Sequence, residues 1–598
     1  MKDFLKMTLA VLLALVLVSV LSIFITAGLV GSMAESGKTI KKIPSSAVLK
    51  IDLSGTVIAE QEKAPNLQAM ARNNQLEYVG LWNTVCAINA AAEDPAIKYI
   101  YLKSDGNATS AAKLQELRRS LEKFRQSGKP VISYIEAPTT GSYYISSVAD
   151  KVFMTSHPGT LMLVSGVSLQ MTFFKDLLDR LGINMQLIRH GKYKSAGETF
   201  ICNAPSKENL EQYQAVADGT WKALCAEIAA SRGISEEKLN SMIDNLELCL
   251  SSDFLEAGLV DELVTREQLK AKLAEYAMEE KFSKVRMVSL SDYIAVKLPH
   301  NLRAGKQIAV IYADGDIVDG KEDLENIAGD RFASIISKVR ADSTVKAVVL
   351  RVNSPGGSCI ASEKIKAELD LLKQEKPLVA SYGNYAASGG YWISGNCDKI
   401  FSDAVTLTGS IGVFGMVPDV SKAMKEKAHI NVVSVNSNKH GDMYSGMRPL
   451  SKEEYDYQLR SIEDIYGRFV GLVAEGRSLD RDYVDEIGQG RVWIGSDALE
   501  RGLVDEIGTL EDAISWAAVA AGDPDVKAWK IQGYPKPLTT MEMIMASFGE
   551  KGLLEDDEVF AFGPVAPVAK VLNTWYGNIR KGSHDYVFAR MPFVMEVR

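Results

Sequence analysis

A serine set among very small residues is the first feature of this sequence that could do chemistry. Ser388 lies in the segment Ala-Ala-Ser-Gly-Gly at 386–390, where small neighbours let a substrate backbone approach its hydroxyl closely. A serine hydroxyl can act as a nucleophile, and the backbone N–H of Gly389 beside it can stabilise the oxyanion that forms. Taken alone, a serine between alanine and glycine also fits ordinary helix packing.

A glycine pair supplies a second candidate for the same chemistry. The segment Asn-Ser-Pro-Gly-Gly at 353–357 follows a predicted strand, and its glycines free the backbone to turn tightly and to point N–H groups at a ligand. We therefore assign the N–H of Gly357 as the second donor of an oxyanion hole. The structural alternative is a plain turn.

A serine nucleophile needs a base, and Lys194 is the candidate that the sequence offers. The sequence has no strong Ser-His-Asp pattern, and a neutral lysine can take the same role. Free lysine titrates near about 10.4, so Lys194 must be buried away from water, which can lower its pKa by several units. His190 and His440 are rival bases, although their equivalent places in an internal repeat favour a structural role. The plain alternative for Lys194 is a solvated surface lysine.

The body of the chain contains one unit twice. The run 96–103 resembles 344–351 at an offset of 248 positions, and the run 255–262 resembles 499–506 at an offset of 244. Two further matching stretches lie between them in the same order. A fixed period of this kind indicates a duplicated structural unit.

The two copies differ where the chemistry is expected. Gly357 and Ser388 of the second copy correspond to Thr109 and Thr140 of the first, whereas Lys194 of the first corresponds to Tyr444 of the second. Each copy has therefore kept what the other has lost. This complementary loss predicts one composite active site between the copies.

The elements that must position these residues alternate between short strands and helices. Each copy reads as a β-branched strand, a helix, a second strand, an amphipathic helix and a third strand, which is typical of βαβ crossovers and a mainly parallel sheet. The predicted organisation is a membrane anchor at 1–35, a first copy at 45–264, a connection at 265–305, a second copy at 306–530 and a C-terminal extension at 531–598.

The N-terminus predicts a membrane anchor. Residues 7–33 are 27 residues without a charge, and about 20 apolar residues span a bilayer core. Lys2 and Lys6 precede this stretch, which favours a cytoplasmic N-terminus with the rest of the chain across the membrane. A cleaved signal peptide is the alternative.

Charge and cysteine content narrow the partners. The net charge of −9 is spread along the chain without a basic tract, so we expect no nucleic-acid partner. The six cysteines form no Cys-x-x-Cys pair, so we expect free thiols, mostly buried, and no metal site or cofactor.

The combined motifs resemble those of the signal peptide peptidase A (protease IV) family. The resemblance rests on the segments 353–357 and 386–391, on Thr-Gly-Ser-Ile-Gly-Val at 408–413 and on Gly-Arg-Val-Trp at 490–493. It covers roughly residues 1–530. It implies two tandem α/β spiral domains of the crotonase and Clp-protease type after an N-terminal transmembrane helix.

The resemblance also implies roles for individual residues. Ser388 matches the family's nucleophile, Lys194 matches its general base, and Ser410 matches a serine that helps to hold the lysine. Where the family commonly has a proline after the lysine motif, this chain has Thr199, a difference that concerns loop rigidity. The resemblance implies degradation of cleaved signal peptides at the outer face of the bacterial inner membrane by a homotetramer. Two alternatives remain, an acyl-CoA hydratase or hydrolase of the crotonase fold and an inactive membrane scaffold.

Overall fold

The computed structural model describes residues 42–62, 76–106, 109–157, 159, 162–298, 305–321, 323, 326–536 and 587–591. The predicted membrane anchor at 1–35 lies outside these residues. Among the described residues, no helix is both long and apolar enough to cross a bilayer.

The first unit is a mixed α/β structure. Its strands are β1 (Ala47–Asp52), β2 (Thr56–Ala59), β3 (Glu77–Gly80), β4 (Ile97–Lys103), β5 (Val131–Ile135), β6 (Lys151–Thr155), β7 (Asn184–His190), β8 (Glu262–Val264) and β9 (Met287–Ser289). Its helices are α1 (Leu81–Glu93), α2 (Ala111–Arg125), α3 (Thr140–Ser146), α4 (Lys175–Leu181), α5 (Glu198–Ile201), α6 (Lys207–Arg232), α7 (Glu236–Asp244), α8 (Ser251–Glu256), α9 (Arg266–Tyr276) and α10 (Leu290–Lys297).

The second unit repeats this arrangement. Its strands are β10 (Gln307–Asp314), β11 (Ile317–Val318), β12 (Ile327–Ala328), β13 (Val345–Ser354), β14 (Gly356–Ser358), β15 (Leu378–Ala387), β16 (Lys399–Ser402), β17 (Leu407–Gly409), β18 (Val413–Asp419), β19 (Val492–Ile494), β20 (Glu506–Ile507) and β21 (Lys530–Tyr534), and β22 (Val587–Arg590) follows near the C-terminus. Its helices are α11 (Gly329–Ala341), α12 (Cys359–Lys373), α13 (Gly389–Ser394), α14 (Lys452–Arg477), α15 (Arg481–Ile487), α16 (Gly495–Glu500) and α17 (Leu510–Ala520). Single 3-10 or π turns lie at Phe282–Lys284, Ala423–Lys427 and Val526–Ala528.

The main sheets of the two units have equivalent strand orders. The first runs β8-β6-β5-β4-β1-β9 and is parallel throughout. In the second, β21, β10, β13, β15, β16 and β20 pair in the corresponding order, also in parallel. This confirms the predicted α/β class and the duplication. The edge strand β9 comes from the segment 265–305, which the sequence assigned to the connection, and β21 begins at the end of the second copy.

A third sheet draws on both units. Its order is β12-β11-β14-β22-β18-β7. Strand β7 of the first unit lies antiparallel to β18 of the second, with His190 opposite Val413 and Asn184 opposite Asp419. The backbone hydrogen bonds between β7 and β18 position the loop that follows β7 against the second unit.

The two longest helices are equivalent and are bounded by the same kinds of residue. Ser206 and Ser451 cap α6 and α14 by accepting a hydrogen bond from a backbone N–H of the first turn, which satisfies a donor that has no partner within the helix. Gly233 and Ser478 end these helices in a left-handed conformation. Both helices have 26 residues, so the local sequence defines matching elements in the two copies.

The apolar core is continuous between the units. The first hydrophobic cluster contains the strands of the first sheet together with Tyr385, Leu407 and Val492 of the second unit. Strands such as β13 and β15 are almost wholly buried, as expected for parallel strands covered on both faces. Each fully buried large apolar side chain contributes about 1.5–3 kcal/mol, so the units are held together as one folded body.

A buried ion network crosses this interface. Arg351 on β13 is 1% exposed, and its guanidinium lies 2.9 Å from Glu60 and 2.6 Å from Glu116 of the first unit. Burial opposes the charge on Arg351, but the two carboxylates outweigh that effect and raise its pKa. The three charges therefore depend on one another for compensation.

We expect Arg351→Met to lower the free energy of unfolding by about 3–5 kcal/mol, because it removes the cation that contacts both buried carboxylates and leaves Glu60 with the more distant Lys113, at 3.8 Å. Denaturant unfolding measures the change. Arg468→Met is the matched control, since Arg468 is 57% exposed and pairs with Asp464 on the surface of α14; such pairs contribute little. Equal losses for both variants would contradict this role of the network.

Candidate active site

Ser388 lies at a sharp turn between a strand and a helix. Strand β15 ends at Ala387, and α13 begins at Gly389. The backbone of Ser388 has φ 55° and ψ −114°, a conformation that costs a non-glycine residue about 1–3 kcal/mol. Two backbone hydrogen bonds stabilise the turn. The Ser388 N–H donates to the Gly409 carbonyl at 2.8 Å, and the Ser388 carbonyl accepts from Trp392 N at 2.8 Å.

Lys194 reaches this serine from the other unit. It lies in the loop after β7 and is 0% exposed. Its Nζ is 2.7 Å from Ser388 Oγ, 3.0 Å from Ser410 Oγ and 3.1 Å from the Ser410 carbonyl oxygen. The structure therefore brings together three residues that are far apart in the sequence, and no carboxylate lies among the hydrogen-bond partners described for this amine.

The surroundings of the amine disfavour its charged form. Burial lowers the pKa of Lys194 to about 7, and the thiol of Cys359 acts weakly in the opposite direction. Removing the ammonium from water destabilises it, while the neutral amine loses little. Near pH 7 a large fraction of the molecules therefore carries a neutral amine beside the Ser388 hydroxyl.

Two glycines of the second unit make room for the lysine stem. A methyl group at Gly490 would lie 2.6 Å from Lys194 Cβ, and one at Gly412 would lie 3.1 Å from Lys194 Cδ. Gly490 also has φ +81°, which favours glycine. Gly490 opens the Gly-Arg-Val-Trp motif, but no pattern in the sequence indicates that it contacts the lysine.

A network of polar side chains stabilises the loop that contains Lys194. Arg189 donates to the Lys194 carbonyl at 3.0 Å and to Glu198 at 2.9 Å. Gln212 donates to Ser195 Oγ at 3.2 Å and accepts from Val492 N at 2.9 Å. The sequence analysis missed these positioning contacts, and Glu198, four residues after Lys194, is the one sequence signal that could have indicated them.

The Gly-Gly segment lies directly against the serine turn. A methyl group at Gly356 would lie 2.6 Å from the Gly389 nitrogen, and one at Gly357 would lie 1.9 Å from the Ile317 carbonyl oxygen. Only glycine fits such close backbone approaches. Gly357 and Gly389, the two predicted oxyanion donors, thus belong to adjoining backbone segments.

Ser410 is held in an unusual conformation beside the amine. It has φ 49°, and its N–H donates to the Arg491 carbonyl at 2.7 Å. The backbone that follows β17 therefore directs both the hydroxyl and the carbonyl of Ser410 toward Lys194.

The rival bases lie elsewhere. The His190 ring stacks on Tyr466 with centroids 4.0 Å apart. His440 is 42% exposed and pairs with Glu454 at 2.9 Å. Neither ring is a hydrogen-bond partner of Ser388 among the contacts described for it.

The equivalent place in the first unit has no such arrangement. Thr140, the counterpart of Ser388, donates its hydroxyl to the Gly166 carbonyl at 3.0 Å. Tyr444, the counterpart of Lys194, is 43% exposed. The contact between Lys194 and Ser388 joins the two units, and no contact between Thr140 and Tyr444 is found among the described residues.

The described residues contain no cluster of His, Cys, Asp or Glu that could hold a metal ion. The cysteines are free thiols. Cys225, Cys359 and Cys397 are buried, but Cys249 is exposed, so the expectation of mostly buried thiols holds only for part of the set.

A serine hydroxyl at a strand-to-helix turn, in contact with a buried amine, is an arrangement typical of a serine hydrolase. A family model described as "Peptidase family S49" matches residues 123–279 and 370–522, one match in each unit. Protease 4 of Haemophilus influenzae is 33% identical over 562 residues, which is 90% of each chain. Protease 4 of Salmonella typhi is 35% identical over 88% of this chain and 86% of its own.

Two further matches are more distant. The chloroplastic serine protease SPPA of Arabidopsis thaliana is 31% identical over 78% of this chain and 71% of its own. The structure of a mutant ClpP1 from Listeria monocytogenes covers 34% of this chain and 93% of its own, with a TM-score of 0.24 at 15% identity. From the family match and the relatives of similar length, the chain belongs to peptidase family S49 and is a serine peptidase.

We expect Gly490→Ala to reduce peptidase activity on the order of 100-fold while the protein stays folded. The added methyl would lie 2.6 Å from both the backbone nitrogen and Cβ of Lys194, so the lysine must move, and small misplacements of a reacting group are this costly. The measurement is the initial rate of peptide cleavage. Gly522→Ala is the matched control, since Gly522 also has a positive φ, +94°, but has nothing within 4 Å of the added methyl. An equal loss in both variants would show that backbone strain alone is responsible.

Proposed function

We propose that the chain is a membrane-anchored serine endopeptidase in which Ser388 is the nucleophile and Lys194 is the general base. The observation that carries this proposal is the 2.7 Å separation of Lys194 Nζ and Ser388 Oγ at a site where both side chains are 0% exposed. Ser410 orients the amine, and the N–H groups of Gly357 and Gly389 stabilise the oxyanion.

The reaction follows from this geometry. The neutral Lys194 amine accepts the Ser388 proton as Oγ attacks the carbonyl carbon of the scissile bond, and Gly357 and Gly389 donate to the oxygen that becomes negative. Lys194 then gives the proton to the departing amine, so the peptide C–N bond breaks and an ester to Ser388 remains. Water, deprotonated by Lys194, hydrolyses the ester and restores both groups.

Cleaved signal peptides and other apolar, extended peptides are the proposed substrates. The uncharged stretch at 7–33 would hold the body of the protein beside the bilayer, where spent signal peptides remain. The burial that favours the neutral form of Lys194 also disfavours a charged substrate side chain next to it.

Location and assembly complete the proposal. We place the peptidase units on the outer face of a bacterial inner membrane, in a homotetramer, as the family resemblance implies. The loop at 430–435 supports subunit contacts, because Val433 and Val435 are 84% and 94% exposed and neighbouring exposed apolar residues commonly mark protein interfaces.

We expect Ser388→Ala and Lys194→Met each to lower peptide cleavage by at least about 1,000-fold, with the double variant no worse, because nucleophile and base act as one unit. In the wild type, kcat/KM should rise with pH through about 7, the pKa of Lys194, since only the neutral amine can accept a proton. Fluorophosphonate labelling of Ser388 should follow the same pH profile.

Two results would contradict the assignment. Near-normal cleavage by Lys194→Met would make another group, first His190, the base. A pH profile that is flat between about 5 and 9 would show that no group with the lowered pKa controls the rate.

We expect peptides that differ only in the residue before the scissile bond to be cleaved faster with Ala or Leu than with Asp or Lys at that position. The reason is the desolvation of a charge beside the buried amine. Initial rates on such a panel measure the preference, and a neutral Asn variant controls for size against Asp. Equal rates for all five would rule out the apolar site while leaving the dyad standing.

A further inference from the structure

An arginine of the second unit lies against two aromatic rings at the boundary between the units. Arg491 Cζ lies 4.7 Å from the ring centroid of Tyr193, which precedes Lys194 in the first unit, and 4.4 Å from that of Trp493. The Arg491 side chain is 19% exposed, and both aromatic residues are buried. A cation over an aromatic face is attracted most strongly where it is shielded from water, so this contact joins the lysine loop to the second unit.

Hydrogen bonds fix the orientation of the Arg491 guanidinium. Its Nη1 donates to the Tyr193 hydroxyl at 3.0 Å and lies 3.0 Å from a carboxylate oxygen of Glu211 on α6. The Tyr193 hydroxyl donates to the same carboxylate oxygen at 3.3 Å. Stacking on a ring combined with directed N–H contacts requires a planar guanidinium, which the ammonium of a lysine cannot replace.

The backbone beside this arginine contacts both the lysine loop and Ser410. Tyr193 N donates to the Gln489 carbonyl at 2.9 Å, and Ser410 N donates to the Arg491 carbonyl at 2.7 Å. Ser410 in turn places its hydroxyl and carbonyl oxygens 3.0 Å and 3.1 Å from Lys194 Nζ. The same short segment therefore fixes groups on both sides of the amine, and the arginine side chain links it to Tyr193.

The protonation state of the amine depends on this packing. Burial lowers the pKa of Lys194 to about 7, and the Cys359 thiol acts in the opposite direction. If the loop moves and water reaches the amine, the pKa returns toward the ordinary value for lysine, about 10.4. Charged side chains also lie against the lysine loop or the stacked rings, and these are Arg189, Lys192, Glu198, Glu211 and Arg501.

We propose that Arg491 and Tyr193 are positioning residues of the peptidase, whose contact keeps the loop closed around the Lys194 amine and holds Nζ against Ser388. This inference rests on the proposed function, in which Lys194 is the general base. The two side chains act through Lys194 and Ser410 and take no part in proton transfer. A looser contact lets Nζ move away from Ser388 and lets water stabilise the ammonium, so activity falls most near neutral pH.

The test compares kcat and KM for peptide cleavage by the purified full chain across the pH range. Arg491→Met keeps a long side chain but removes the charge and the planar group. Its kcat should fall on the order of 10-fold at about pH 7 but only about twofold at about pH 10, with KM nearly unchanged. The midpoint of its kcat/KM profile should lie about one pH unit higher, because a raised lysine pKa requires a higher pH for the neutral amine. Arg491→Lys should not restore the wild-type midpoint.

Arg501→Met is the matched control. Arg501 Cζ lies 3.7 Å from the Trp493 ring centroid, but Tyr193 is not among the contacts described for it, so this variant should keep the wild-type pH profile. Tyr193→Phe keeps the ring and loses the hydroxyl. It should move the midpoint in the same direction as Arg491→Met, by a smaller amount. Thermal unfolding of each variant shows whether it is folded.

The outcomes separate this inference from the proposed function. A folded Arg491→Met with the wild-type midpoint would overturn the inference, even if its activity were reduced equally at every pH, and so would an equal shift in Arg501→Met. If Arg491→Met does not fold, an unshifted midpoint in Tyr193→Phe has the same consequence. An active Lys194→Met would instead overturn the proposed function. An inactive Lys194→Met together with an unshifted Arg491→Met would remove the positioning role alone.

Discussion

The exclusion of water from the Lys194 amine is the constraint on which the rest of this structure depends. In water a lysine is charged at neutral pH and cannot accept a proton from serine. Its pKa falls to about 7 only because the side chain is wholly enclosed. Enclosing an amine requires protein atoms packed against it on every side, and here those atoms come from both copies of the unit.

The duplication supplies the two units that together enclose the Lys194 amine. Strand β7 carries the lysine loop onto the sheet of the second unit, and Gly412 and Gly490 provide the narrow space for the stem. The shared apolar core and the buried Arg351 network hold the two units in one orientation. Because no second amine meets Thr140 in the described part of the first unit, that place is free to serve packing instead.

The third sheet brings strands of both units together beside this buried site. Its strands β14 and β18 present backbone groups on either side of Ser388, and β22 satisfies them from within the same chain. Ala589 of β22 is buried and lies opposite Gly357 of β14.

Much of the architecture could be predicted from the sequence alone. Alternating β-branched runs and amphipathic helices predicted the parallel α/β units, and the offset of about 248 positions predicted their duplication. The complementary loss of Ser388 and Lys194 pointed to a composite site, because a functional pair divided between copies leaves a gap in each. The anchor at 1–35 stays a prediction, since it lies outside the described residues.

Other features depended on the tertiary structure. The contact between Lys194 and Ser388 joins residues 194 positions apart, and its effect on the pKa comes from burial that no local pattern encodes. Gly490, Gln212 and the ion partners of Arg351 act through contacts across the interface between the units. The strand at 587–590 was not predicted from the sequence, because its partners β14 and β18 are distant from it in the chain. Local sequence determines which elements form, whereas the distances and desolvation on which the proposed catalysis depends arise only when distant elements pack together.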